Sequence, residues 1–471
     1  MAAVVVALLA GVEIAAAQRA SPYLPDINEH YTLRRLPTSN NPLPLTVLQV
    51  TDNVIELKRA NAWSPGATYV QALRRQAGAV RITNGTANLL SVEAGSVFLA
   101  PVTVGGQSFD VVIDSGSSDP WLVTPDFACI DVYDGSSQTQ DACDFGSTYN
   151  PNSSSTYSQL PNQHFDISYA DGESLTGSMG YESFTMAGIT VPHQEFGLVD
   201  YAAWTGDGVS SGLVGFAYRT LTSAYAGSNP SGYNNEQALM YNPLFVNMYA
   251  TRGVPPVFTL AINRDNDNGG VLALGGIPNI PYSPGFASTP IIPFGVNTTS
   301  GADVYEFYTV EVDGFAFSSN QNVQFNMNIT STNPRKKSLV ASGTHAIVDS
   351  GTSVIYADND TLAGPIAAAF TPPGFWNDEF RVWQVPCNAK APVVGVAISG
   401  KIFYVNGVDM ILQSSQTDCI SGVQPSGTEQ TILGDVWMKN VLCVFDLGAE
   451  MMRFAAREFY GLTAQSRPVR T

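Results

Sequence analysis

Charge is what this chain has least of. Asp, Glu, Lys and Arg make up 13 % of its 471 residues, roughly half the usual share. Basic residues are the scarcer kind, 22 Lys and Arg against 40 Asp and Glu, for a net charge of −18. So acidic a surface excludes nucleic acid and anionic membranes as main partners. Histidine is nearly absent, with four copies, and five cysteines include no Cys-x-x-Cys pair. Without these ligand sets, and without His-Glu-x-x-His, a zinc site is not expected, nor is any other metal or organic cofactor. No Ser/His/Asp order supports a serine hydrolase. Beyond the first residues no apolar run reaches the ~18 residues of a membrane helix.

What is abundant is turn and strand material. Gly (42) and Pro (29) punctuate short runs of Val, Ile, Thr, Tyr and Phe, which predicts a mainly β chain with many loops. Its length allows two or three domains. Helices are expected to be few and short, at 234–248, 360–370 and 435–439. Residues 88–104 predict strand, turn, strand, with Gly105-Gly106 turning the next hairpin.

The start of the chain has its own character. Residues 3–11 form a short apolar run followed by Ala15-Ala16-Ala17, the pattern of a secretory signal cut after residue 17, although no Lys or Arg precedes the run. Residues 18–75 carry net charge +3, whereas residues 76–471 carry −20. This contrast predicts a basic pro-segment docked on an acidic body, with the dibasic Arg74-Arg75 as a candidate processing site. The polar tail, 461–471, lacks the hydrophobic stretch of a lipid-anchor signal. Secretion permits disulfides. Cys129 and Cys143 flank a Gly/Ser-rich loop, and Cys387 and Cys419 flank a strand–turn–strand pattern; they are paired accordingly. Cys443, in an apolar strand, reads as a buried free thiol. Five sequons, at Asn84, Asn152, Asn297, Asn328 and Asn359, are candidate N-glycosylation sites on a eukaryotic secretory route.

One acidic motif occurs twice, 235 residues apart. Asp114-Ser115-Gly116-Ser117 ends one apolar run, and Asp349-Ser350-Gly351-Thr352 ends another. A single Asp-Ser-Gly is usually an Asx turn. Two copies, each after an apolar strand with hydroxyls at +1 and +3, suggest one carboxyl per half of a two-lobed enzyme. Two carboxyls face to face cannot both ionise easily, so they share a proton and can activate a water between them. Gly116 and Gly351 let backbone N–H groups approach the carboxylates, while Ser117 and Thr352 can bond their outer oxygens. Each half also carries an apolar pair ending in Gly, Leu213-Val214-Gly215 and Ile432-Leu433-Gly434, where backbones must approach closely. Near residues 276–285 the halves are expected to join.

With those residues in hand, the chain resembles the pepsin-like aspartic proteases, most closely their secreted or vacuolar fungal branch. The matching motifs are DSGSSDPW at 114–121, YADGES at 169–174, SGLVGFAY at 211–218, AIVDSGTS at 346–353 and TILGDVW at 431–437. The resemblance implies a bilobal, mainly β fold, with lobes at 76–278 and 279–460, an interlobe cleft and a flap hairpin. It implies Asp114 and Asp349 as the catalytic pair, Tyr169, Ala170 and Asp171 in the flap, and Trp121 as support for Tyr169. It also implies polypeptide substrates, acid pH, a zymogen inhibited by its own pro-segment, a monomer, and secretion or a vacuolar destination. Of the basic residues, Lys58, Arg59, Arg74 or Arg75 is expected to reach the carboxyl pair. Ser115 and Ser350 stand where the family has Thr, Ala170 where it commonly has Gly, and Pro120 where it has an aliphatic residue. The alternatives are a pepsin-fold binding or inhibitor protein without activity, and a processing protease of narrow specificity.

Overall fold

The computed structural model describes residues 48–61, 96–132, 134–169, 173–227, 239–264, 269–297, 300–325, 336–337, 339–341, 343–378, 380–414, 418–426 and 430–457. The signal at 1–17, Arg74-Arg75, Asn84, Asn328, the flap residues Ala170 and Asp171, and the tail at 461–471 lie outside them. Strand accounts for 51 % and helix for 10 %, so the mainly β class holds.

The first strand, Val54–Asn61, shows how sequence pattern becomes burial. Ile55 and Leu57 are buried and Val54, Glu56 and Lys58 are exposed, the two-residue alternation of a strand with one wet face. This strand lies within the segment read as pro-segment, yet it is central to a 15-stranded sheet. Val54 to Leu57 pair antiparallel with residues 270–273, and Lys58 to Asn61 pair antiparallel with residues 96–99. It thus joins the two families of strands edge to edge. On one side run Ser96–Val104, Gln107–Asp114, Gly212–Gly215, Pro120–Ile130 and the long hairpin Ser174–Met186 with Ile189–Ala203. On the other run Gly270–Leu274, Val257–Ile262, Val441–Asp446 and Met451–Ala456. A separate five-stranded sheet contains Thr309–Val312, Thr344–Val348, Thr431–Leu433, Ile355–Ala357 and Val423–Pro425. The hairpin turn expected at Gly105-Gly106 joins residues 104 and 107, which pair directly.

The helix expected over 234–248 is displaced: the described part begins at Leu244 and runs to Arg252. Pro243 stands at its N-cap, and a proline disfavours helical backbone in the residue before it. The second predicted helix is a turn of π-helix at Asn359–Ala363 followed by Gly364–Ala368, and the third is Asp435–Met438.

Disulfides join Cys129 to Cys143 and Cys387 to Cys419, and Cys443 is free and buried. The second bridge closes the longer loop, with a sequence separation of 32. On the chain-entropy model, replacing both of its cysteines with serine costs about 3–4 kcal/mol. Urea unfolding of Cys387→Ser/Cys419→Ser at acid pH checks this, and an unchanged midpoint would contradict it. Among the described residues no helix is long and apolar enough to cross a membrane.

Candidate active site

The two acidic motifs are delivered by the same device. Gln107–Asp114 ends at Asp114 and runs parallel to Gly212–Gly215, with Asp114 opposite Gly215. Thr344–Val348 runs parallel to Thr431–Leu433, and Asp349 N donates to Leu433 O at 3.2 Å. Each Asp therefore leaves its strand beside the glycine that follows a neighbouring apolar pair. Those glycines are steric requirements. A Cβ on Gly215 would fall 2.5 Å from Ser117 backbone atoms, and one on Gly434 would fall 2.1 Å from Thr352 O. Any side chain there would push the acidic loop out of place.

Around each carboxyl the hydrogen bonds match one for one. Asp114 accepts from Gly116 N at 2.7 Å and from Ser117 Oγ at 2.5 Å. Asp349 accepts from Gly351 N at 2.9 Å and from Thr352 Oγ1 at 2.5 Å. Between the loops the two serines interlock. Ser115 N donates to Ser350 Oγ at 3.1 Å, and Ser350 N donates to Ser115 Oγ at 2.9 Å. Each hydroxyl then donates onward into the opposite strand, Ser115 to Val348 O at 3.2 Å and Ser350 to Ile113 O at 2.9 Å. These four bonds use only hydroxyl and backbone, so serine serves where the family has threonine. Both carboxyls are buried, Asp114 at 2 % and Asp349 at 0 % exposure. Burial, and then the neighbouring Asp114 charge, push the Asp349 carboxyl well above the ordinary carboxylate range. The sequence-chosen dyad residues, Asp114, Ser115, Gly116, Ser117, Asp349, Ser350, Gly351 and Thr352, thus converge on one place.

Over this floor stands the hairpin of Ser158–Ser168 and Ser174–Met186. Tyr169 N donates to Glu173 O at 2.8 Å across its base. Trp121 Nε1 donates to Tyr169 Oη at 2.9 Å, and both rings pack edge-on against Trp204 at 5.3 and 5.8 Å. Trp204 also stacks on Phe145 at 5.9 Å, so it belongs to an aromatic brace behind Tyr169. A net hydrogen bond is worth about 1 kcal/mol, or about fivefold in rate. Tyr169→Phe and Trp121→Phe should therefore each lower kcat/KM by about fivefold in a peptide-cleavage assay. Wild-type values in both would show that this bond does not steady the flap.

Several buried charges were not singled out from sequence. Asp119, inside the first motif, accepts from Ser223 N at 2.8 Å and from Tyr241 Oη at 2.5 Å, while its Oδ2 is buried without a partner. Burial lifts its pKa to about 6. The available signal was an acid flanked by Ser118 and Pro120-Trp121-Leu122-Val123, a setting that water does not reach. Asp435, in the second Gly motif, is buried and raised well above its usual range by desolvation. Lys439 and Arg59 oppose that rise. Lys58, expected to reach the dyad, pairs instead with Asp110 at 2.8 Å. Its place explains this: residues 58–61 pair with 96–99 while Gln107–Asp114 lies on the far edge of that same strand, so Lys58 reaches across it. Arg59 donates to Arg264 O at 2.9 Å. Of the described sequons, Asn152 and Asn359 are exposed and Asn297 is half-buried. Among the described residues no group of His, Cys, Asp or Glu is arranged to hold a metal ion.

The geometry has counterparts. A family model described as eukaryotic aspartyl protease matches residues 97–457.

The chain belongs to the eukaryotic aspartyl protease family.

A probable aspartic-type endopeptidase of Aspergillus fumigatus is 39 % identical over 424 residues, covering 88 % of this chain and 89 % of the relative. Secreted aspartic protease 8 of Candida albicans is 26 % identical, covering 79 % and 78 %. Human gastricsin is 28 % identical, covering 76 % and 81 %. The crystal structure of an aspartic proteinase from Irpex lacteus superposes with a TM-score of 0.56 at 18 % identity, covering 79 % of this chain and 96 % of that one. It shares the bilobal pepsin-like fold. The family member described here is an aspartic-type endopeptidase, a peptide hydrolase.

Proposed function

We propose that Asp114 and Asp349 are the catalytic pair and hydrolyse polypeptides at acid pH through one water held between them. The observation that carries this is the reciprocal Ser115–Ser350 interlock, which fixes two identically bonded carboxyls against each other. Asp349, the carboxyl lifted by burial, holds the shared proton, and Asp114 is the base. The water gives a proton to Asp114 as its oxygen bonds the scissile carbonyl carbon. Asp349 protonates the carbonyl oxygen, yielding a neutral gem-diol. Asp114 then passes its proton to the amide nitrogen, the C–N bond breaks, and Asp349 recovers a proton from a diol hydroxyl. Tyr169 covers the reacting atoms and, with Trp121 behind it, helps to exclude water.

The same reading assigns residues 1–17 as a secretory signal and 18–75 as an inhibitory pro-segment of a zymogen. Its charge contrast with the acidic body supports this, as does the Val54–Asn61 strand seated between Ser96–Val104 and Gly270–Leu274. Residues 76–278 and 279–460 are the two lobes, and the mature enzyme is secreted as a monomer, in keeping with a relative named as a secreted protease. Casein digestion at pH 3–5, with and without a statine-type transition-state analogue, tests the activity. Cleavage that the analogue blocks is expected. Absence of cleavage by protein that has lost residues 18–75 would overturn the reading in favour of an inactive binding protein.

A further inference from the structure

Asn359 lies on the π-helical turn that follows Ile355–Ala357. Its side chain is exposed, and its Oδ1 accepts from Trp383 Nε1 at 2.8 Å. Gln424 fixes the Trp383 backbone on both sides. Trp383 N donates to Gln424 Oε1 at 2.9 Å, and Trp383 O accepts from Gln424 Nε2 at 3.1 Å. Gly364 leaves room for the ring: a Cβ there would meet Trp383 Cζ2 at 3.1 Å. Across the antiparallel pair, Trp376 is the direct partner of Trp383, and the two rings meet edge-on at 5.4 Å. Both rings are half-buried. A pair of tryptophans at the surface, one donating to an asparagine that begins Asn359-Asp360-Thr361, has no part in the catalytic arrangement.

We propose that Asn359 carries an N-glycan and that Trp376 and Trp383 are the platform for its first sugar. Attachment turns the side-chain amide into a secondary amide, planar and trans like a peptide bond. The sugar's C1 then lies on the Oδ1 side of the C–N bond, and Oδ1 is the atom that Trp383 grips. The linkage therefore directs the first N-acetylglucosamine toward the indoles, where the C–H face of the ring covers aromatic surface that water otherwise wets. Asn297 is built differently: its Oδ1 accepts from Ser300 N at 3.0 Å within a turn of its own.

This inference rests on the secretory routing proposed above. Protein secreted from a eukaryotic host is digested and mapped after glycan release in heavy-oxygen water, which marks each formerly occupied Asn. Occupancy at Asn359 is expected. A protein occupied elsewhere but bare at Asn359 overturns this inference and leaves the routing intact, and a protein bare at every sequon overturns both. A second measurement isolates the platform. Trimming to one N-acetylglucosamine should leave the melting temperature unchanged, and removing that last sugar should lower it by about 1–2 °C. In Trp376→Ala the same final step should change nothing. An equal fall in wild type and Trp376→Ala, or no fall in wild type, would overturn the platform.

Discussion

Asp114→Asn and Asp349→Asn will each lower kcat by about 10⁴-fold or more and will leave the fold intact. Either change removes the capacity to trade a proton with the water and the scissile bond, and the intact partner cannot play both roles in one cycle. The fold survives because asparagine keeps the shape. Its Oδ1 still accepts from Gly116 N or Gly351 N, which now stand at 2.7 and 2.9 Å. Its Nδ2 faces a hydroxyl, Ser117 Oγ or Thr352 Oγ1, that can turn from donor to acceptor. Asp349→Asn also removes a carboxyl whose charge is costly in this buried place, so its melting temperature should hold or rise above neutral pH. Single-turnover cleavage of a peptide at pH 4, with thermal unfolding of the same samples, checks both halves. More than about 1 % residual turnover in either variant would move the chemistry off that carboxyl.

How far the sequence led is visible in particular residues. The dyad loops were legible because they are local: Asp, Ser, Gly and hydroxyl sit within four positions, and the requirement for Gly215 and Gly434 follows from crowding beside them. The strand Val54–Asn61 was not picked out from the sequence, although its alternation stood there to be read, and its role as the seam of the large sheet was out of reach. Pairing with residues some 40 and 210 positions away leaves no periodic trace. Lys58 shows the same limit. Its charge suggested a carboxylate partner, yet which one is decided by register, since residue 58 stands opposite residue 99 while Asp110 belongs to the next strand. Asp119 and Asp435 were missed because burial of a carboxyl depends on what tertiary packing places over it. The helix expected from residue 234 failed locally, at Pro243, where the sequence did hold the warning.

Raising the pH from 4 to 7 will destabilise the native enzyme by several kcal/mol, and Asp119→Asn will recover about 3 kcal/mol of that loss. Burial lifts Asp119 to about 6 and Glu306 to about 7, and Glu195, less enclosed, to about 7. The sign follows from proton binding. A carboxyl whose pKa is higher folded than unfolded holds its proton more tightly in the native state. Its contribution is complete below the unfolded value, near 4, and is lost as pH climbs through the folded value. The window of loss therefore runs from about pH 4 to 7. For Asp119 and Glu306 the rise corresponds to about 3 kcal/mol each, and Glu195 adds less because solvent screens it. Asn at position 119 mimics the protonated acid: it keeps an acceptor for Ser223 N and Tyr241 Oη and carries no charge to bury. Urea midpoints at pH 4 and pH 7 for wild type and Asp119→Asn decide the matter. Equal losses in both would show that Asp119 is not a source of the pH dependence. Asp119 stands two residues before Trp121, and its charge also bears on Tyr169. Packing of this kind favours acid on its own account, since the neutral pH that ionises Asp119 and Glu306 loosens the fold around them.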